Sequence, residues 1–213
     1  MPDHVRLLHE ENADLSAFLH TLTPEQWDAP SLCESWRVRD VVGHLLYGNE
    51  VRLRTLPLQL ARARFSPGRV SKLNKDAAVA RAEGRLPAAL LADFDARGTA
   101  APWQRIAAPI ALLDRVAHHQ DIRRPLHMSR TIPEDRLVAA LQFTPRAIVI
   151  GATRRSKGLR FRTTDIDWAW GDGPEISGPG EALLMAMLGR EAALGDLGGE
   201  GLAKLRERLL PMA

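Results

Sequence analysis

The chain has one cysteine, Cys33, in 213 residues. No intrachain disulfide can form, and a chain this long can bury a core without one. No apolar run approaches the roughly 20 residues of a membrane-spanning helix, so no membrane partner is expected. The N-terminal Met1-Pro2-Asp3-His4 turns polar at once and lacks the basic-then-apolar order of a secretory leader. A cytoplasmic location is the expectation. Low-complexity stretches and internal repeats are also missing. The net charge is only +3 despite a pI near 9.5, and the basic residues are interspersed with acids. Short clusters such as Arg154-Arg155-Ser156-Lys157 therefore read as solvated loop, and no nucleic-acid partner is expected.

What is present divides into two patterns. In the first half, Val5, Leu8, Leu15, Phe18, Leu19 and Leu22 recur at helical steps. Thr23-Pro24-Glu25-Gln26 has the make-up of a capping box with Pro in the first turn. Ala29 to Trp36 reads as a packed loop. Val38, Val41, Val42, Leu45 and Leu46 then form the stripe of a second long helix, ended or kinked by Pro57. Ser66-Pro67-Gly68 reads as a turn. A third helix is expected over Asn74–Arg97, interrupted near Gly84 and Pro87 and stopped by Gly98, and a fourth over Ile110–Ile122. Four amphipathic helices with modest connections suggest a bundle.

The last third changes period. A helix is expected over Pro133–Ile150. Leu159, Phe161 and Thr163 then alternate with Arg160, Arg162 and Thr164, the two-residue period of a half-buried strand. Ile166 to Trp170 continues that alternation into Gly171-Asp172-Gly173-Pro174, read as the turn of a hairpin. A short strand at Glu175-Ile176-Ser177 and helices after Gly180 and Gly201 complete the reading. The fold class is α+β: a helical bundle over residues 1–128, then a small α+β domain over 129–213.

Asp114 and His118 stand four residues apart on the fourth helix and share a face, with Asp121 three residues further along it. That face borders the stripe of Ile110, Leu113 and Ala117. His119 points to nearly the opposite side and is expected to be solvated. His44 flanks the stripe of the second helix in the same way. Two imidazoles and a carboxylate on facing helices suit a divalent metal such as zinc with an open position, although Asp–His pairs at this spacing also occur as plain surface contacts. Asp40 and Asp121 are placed to orient the imidazoles. Cys33, between Leu32 and Glu34, reads as a packed loop residue because an activated thiolate needs a cationic neighbour. The tryptophans, Trp27, Trp36, Trp103, Trp168 and Trp170, read as packing residues.

The segments Ser31-Leu32-Cys33-Glu34-Ser35-Trp36-Arg37-Val38-Arg39-Asp40-Val41-Val42-Gly43-His44-Leu45 and Asp114 to Leu126 resemble the mycothiol-dependent maleylpyruvate isomerase family. That family belongs to the DinB/YfiT-like superfamily of metal-binding bundles. Thr164 to Trp168, Gly171 to Pro174 and Gly178 to Arg190 look like its C-terminal signature. The resemblance implies a DinB-like four-helix bundle in which His44, Asp114 and His118 ligate the metal, with Asp where characterised isomerases have Glu. It also implies an arginine that holds thiol or substrate, for which Arg190 is the candidate. The implied cofactors are a divalent metal, zinc first, and mycothiol or a similar low-molecular-weight thiol. The implied activity adds that thiol to an activated alkene or other electrophile, as an isomerase or S-transferase. A small-molecule substrate and a monomer or homodimer are expected. The alternative is a DinB-like metal protein with another reaction, hydrolytic for instance, or a non-catalytic binding role.

Overall fold

The computed structural model describes residues 2–50, 67–97, 102–148 and 150–209. It divides into two compact units, Asp3–Ser129 and Arg130–Ala213.

In the first unit, α1 (His4–Leu19) starts where Asp3 Oδ1 accepts from the amides of Val5 and Arg6 at 3.2 and 3.1 Å. These are two of the four donors every helix start leaves unpaired. In α2 (Pro24–Trp27) the Thr23 and Gln26 side chains cap each other's backbone. Next come α3 (Val38–Glu50), α4 (Pro67–Ala82), α5 (Pro87–Arg97), the short α6 (Pro102–Ile106) and α7 (Ala108–Arg123). Helix α3 meets α4, α5 and α7, and α1 meets α5 and α7, so α1, α3, α5 and α7 close a four-helix ring with α4 added against α3. Leu15, Phe18, Leu19, Trp27, Trp36, Val38, Val41, Val42, Leu45, Leu46, Leu90, Phe94 and Ile122 form its core.

Two local expectations give way. Pro67 and Gly68 open a helix instead of forming a turn; Pro is tolerated in a first turn because its missing N–H would have no partner there. The third expected helix starts at Pro67 and not at Asn74, while the interruption expected near Gly84 and Pro87 is present: Gly84 sits at φ +68 and Pro87 restarts the chain. Pro57 and Gly98 lie outside the described residues.

Gly43 sets the spacing beside His44. A Cβ there would overlap the Ala78 carbonyl of α4 and meet Ala82 Cβ at 3.3 Å. Glycine therefore lets α3 seat directly on the α4 backbone.

The second unit holds α8 (Glu134–Phe143), a 3-10 turn at Thr144–Arg146, α9 (Ala152–Ser156), β1 (Arg160–Thr163), β2 (Ala169–Trp170), β3 (Glu175–Gly178), α10 (Gly180–Met187), a 3-10 segment at Glu191–Asp196 and α11 (Leu202–Leu209). Leu159, Phe161 and Thr163 are buried while Arg160 and Arg162 are exposed, which is the expected alternation. The sheet order is β2-β1-β3, with β2 antiparallel and β3 parallel to β1. Gly171-Asp172-Gly173-Pro174 is therefore not a hairpin turn. It crosses the start of β1, with Gly171 at φ +81 and Gly173 at φ +121, pressed against the Leu159 and Gly158 carbonyls where a Cβ would collide. The hairpin is β1–β2, and the residues between those strands form its loop: Thr163 Oγ1 lies 2.7 Å from the Ile166 carbonyl and 2.8 Å from that of Trp168. Helix α10 starts on the Asp165 carboxylate, which accepts from the Gly180 amide at 2.8 Å. Among the described residues no helix is long and apolar enough to cross a membrane.

Candidate metal centre

Helices α3 and α7 bring His44, Asp114 and His118 together. One possible ligand atom from each lies within 4.8 Å of the others. Asp114 Oδ1 is 3.6 Å from His44 Nε2 and 3.4 Å from His118 Nε2. The imidazole rings stand edge to face, 4.8 Å between centroids. Trp36, 8% exposed, walls the group, its ring 5.3 Å from that of His44 and 6.4 Å from that of His118. The Asp114 side chain is 42% exposed against 11% for His118, so the cluster opens to solvent on the carboxylate side.

The charges are strongly coupled. Desolvation alone would raise the Asp114 carboxyl, but the imidazoles of His118 and then His44 outweigh it and hold it well below the usual carboxylate range. Desolvation alone would lower the His118 imidazole. The Asp114 charge, the nearby Cys33 and the hydrogen bonds to Asp114 and Asp121 instead hold it well above its ordinary value.

The two imidazoles are supported unequally. His118 Nδ1 lies 2.9 Å from Asp121 Oδ2, and Asp121 is fully buried. His44 Nδ1 is buried with no hydrogen-bond partner among the described residues. Asp40 does not orient it: its carboxylate accepts from the Arg37 amide, Nε and Nη2 at 2.9, 3.0 and 3.2 Å. The residue three positions upstream captures the carboxylate that helical spacing would have aimed at His44.

His119 is not solvated. Helix α7 is covered on every side from Arg115 to Ile122, so a residue pointing away from the cluster points into more protein. His119 and Glu11 of α1 are both fully buried, with His119 Nδ1 2.9 Å from Glu11 Oε1. Arg123 Nε donates to His119 Nε2 at 2.8 Å.

Sequence reasoning also undervalued Cys33. Its Sγ donates to Asp121 Oδ2 at 3.1 Å and lies 3.6 Å from His118 Nδ1. Cys33, His118 and Asp121 form a second group that could ligate an ion. Chain separations of 85 and 88 residues hide these neighbours from any local pattern. Arg190 sits in the second unit, half-buried, where its Nη1 donates to the Leu188 carbonyl at 3.0 Å.

Residues 8–104 match the model of the mycothiol maleylpyruvate isomerase N-terminal domain. Over those residues the chain is similar to that domain. The match to the mycothiol maleylpyruvate isomerase N-terminal domain takes in α3 and His44 and stops before Asp114 and His118. Two solved structures of the mycothiol-dependent maleylpyruvate isomerase, one a histidine-to-alanine mutant, share the fold. Each is 15% identical and aligns over 92% of this chain and 91% of its own, with TM-scores of 0.60 and, for the mutant, 0.61. No curated protein matches the chain by sequence.

Proposed function

We propose that the chain is a metal- and thiol-dependent enzyme of the maleylpyruvate isomerase type, acting on a small activated alkene or electrophile. One observation carries this reading: two imidazoles and a carboxylate from α3 and α7 converge within 4.8 Å in a chain similar to that domain.

The donor set fits a divalent ion. Bonds of about 2.05 Å at tetrahedral angles separate ligand atoms by about 3.3 Å, and the two nitrogen-to-carboxylate separations are 3.6 and 3.4 Å. His44, Asp114 and His118 would hold the ion, zinc in the first instance. An ion there would lower the pKa of a bound thiol or polarise a substrate carbonyl.

Rotation about a C=C bond is prohibitive until a nucleophile adds to one carbon and makes the bond single. Reversing the addition after rotation leaves the trans alkene and returns the thiol. The chain's own contribution is positional. Asp121 holds the His118 ring, Trp36 shields one side from water, and half-buried Asp114 marks the side of approach. We assign Arg190 to a substrate carboxylate, which a guanidinium binds through two parallel hydrogen bonds. Arg190→Ala should then raise KM for an unsaturated acid more than it lowers kcat.

The test is to load the protein with zinc and offer it mycothiol, or another small thiol, with maleylpyruvate, related cis-unsaturated acids and alkyl halides. Thiol-dependent isomerisation or adduct formation that chelation abolishes is the expected result. Turnover that ignores thiol or survives chelation would overturn it. Two histidines and a carboxylate also suit metal-assisted hydrolysis, so esters and amides belong in the same panel.

A further inference from the structure

We infer that Cys33 is a positioning residue of the metal centre, acting through Asp121 to hold His118 in the tautomer that turns Nε2 toward Asp114 and His44. This rests on the metal reading above and adds to it a role for a residue outside the ligand set.

The geometry begins at one oxygen. Asp121 Oδ2 is 2.9 Å from His118 Nδ1 and 3.1 Å from Cys33 Sγ. A ring nitrogen that close to a carboxylate oxygen carries the proton, because two lone pairs would repel at that distance. When the ring gives up one proton to bind an ion, the lone pair is then on Nε2, the nitrogen 3.4 Å from Asp114 Oδ1. The Cys33 S–H donates to the same oxygen. Its Sγ is 3.6 Å from His118 Nδ1, a separation of two donors sharing one acceptor.

This arrangement fixes where Asp121 Oδ2 sits, and through it the ring plane of His118. A second attachment comes from the backbone: the Leu32 amide donates to the Asp121 carbonyl at 2.9 Å. Adjacent residues of the Ala29–Trp36 loop thus grip both the main chain and the carboxylate of Asp121. The loop is itself pinned, since Ser31 N donates to the Trp36 carbonyl at 2.9 Å and Val38 N to the Ala29 carbonyl at 2.9 Å. One short loop therefore supplies Trp36 to both imidazoles and Cys33 to the brace behind one of them. Among the described residues His44 has no such brace, so the metal-binding orientation of the pair rests on the His118 side. Carboxylate partners of ligand histidines typically govern metal affinity by 10- to 100-fold.

The experiment uses the full chain, stripped with chelator and titrated with zinc against a competing chelator dye. Parent, Asp121→Asn, Cys33→Ser and Cys33→Ala are compared. Asp121→Asn should weaken zinc binding about 10- to 100-fold. Cys33→Ser keeps a donor and should stay within about threefold of the parent, while Cys33→Ala should fall by about three- to tenfold, less than the loss of the direct carboxylate partner because Cys33 acts through Asp121. Long-range ¹H–¹⁵N spectra of the zinc-loaded proteins should show the His118 proton on Nδ1 in the parent and Cys33→Ser, with that signal shifted or broadened in Cys33→Ala. Far-ultraviolet circular dichroism of each stripped protein checks the fold. If Asp121→Asn fails to fold, the Cys33 pair decides alone. Cys33→Ala binding zinc as tightly as Cys33→Ser, with an unchanged His118 spectrum, would overturn the inference. A parent that binds no zinc would overturn the metal reading beneath it.

Discussion

His44 Nε2 and Asp114 Oδ1 lie 3.6 Å apart although 69 residues separate them in the chain. Each reaches that point from the border of an apolar stripe, on α3 and on α7. Helices α3 and α7 meet along those borders, so helix packing does the aiming and the polar groups arrive with it.

Asp114 is one methylene shorter than the Glu that the family resemblance implies at this place. Asp114→Glu should retain zinc and bind it as tightly or more tightly, whereas Asp114→Ala should weaken binding with the fold intact. Competition titration with circular dichroism as control distinguishes the outcomes. Loss of zinc in Asp114→Glu equal to that in Asp114→Ala would show that the carboxylate's length is matched to its place.

His119→Ala should leave the zinc content unchanged yet destabilise the protein by about 2 kcal/mol, the range for removing one partner of buried hydrogen bonds to charged groups. Glu11 would be left buried beside the vacated ring. Urea denaturation measures the change, and a loss under about 0.5 kcal/mol, as for a surface site, would contradict the buried pairing.

Gly43→Ala should cost about 1–3 kcal/mol through overpacking, because its methyl would press on the Ala78 carbonyl of α4. Gly48→Ala, where a Cβ meets nothing within 4 Å among the described residues, is the control and should be neutral or stabilising by its helix propensity. Thermal denaturation of the two variants side by side tests the contrast.

In chelated protein the Asp114–His118 pair should leave a bell in stability against pH. The Asp114 carboxyl is lowered on folding, so its contribution is present above about pH 3.9 and is lost as pH falls through the folded value. His118 is raised, so its contribution is full below about pH 6.5 and is lost as pH rises through the folded value. Urea midpoints of the parent should therefore peak between those limits relative to His118→Ala. A difference that does not vary with pH would contradict the coupling.

Helical period was legible because it follows from backbone geometry. The stripes of α1 and α3 and the shared face of Asp114 and His118 could be read directly. Period gives direction, however, and not what lies in that direction. His119 was correctly aimed away from the cluster, but α1 is there with Glu11, so solvent is not. Asp40 was aimed at His44 and is held by Arg37. Strand alternation likewise located β1 but could not say that β3 pairs on its far side, because strand order depends on the path that Gly171 and Gly173 allow. Cys33 was least legible. Its partners come from α7, and no local pattern in the Ala29–Trp36 loop announces them.

The central claim is that His44, Asp114 and His118 hold one divalent ion. The direct measurement is calorimetric titration of zinc into chelator-stripped parent, His44→Ala and His118→Ala, each checked for fold by circular dichroism. The account predicts one ion per chain for the parent, and no tight binding for either folded variant. A parent that takes up no zinc, or variants that bind it as the parent does, would contradict it.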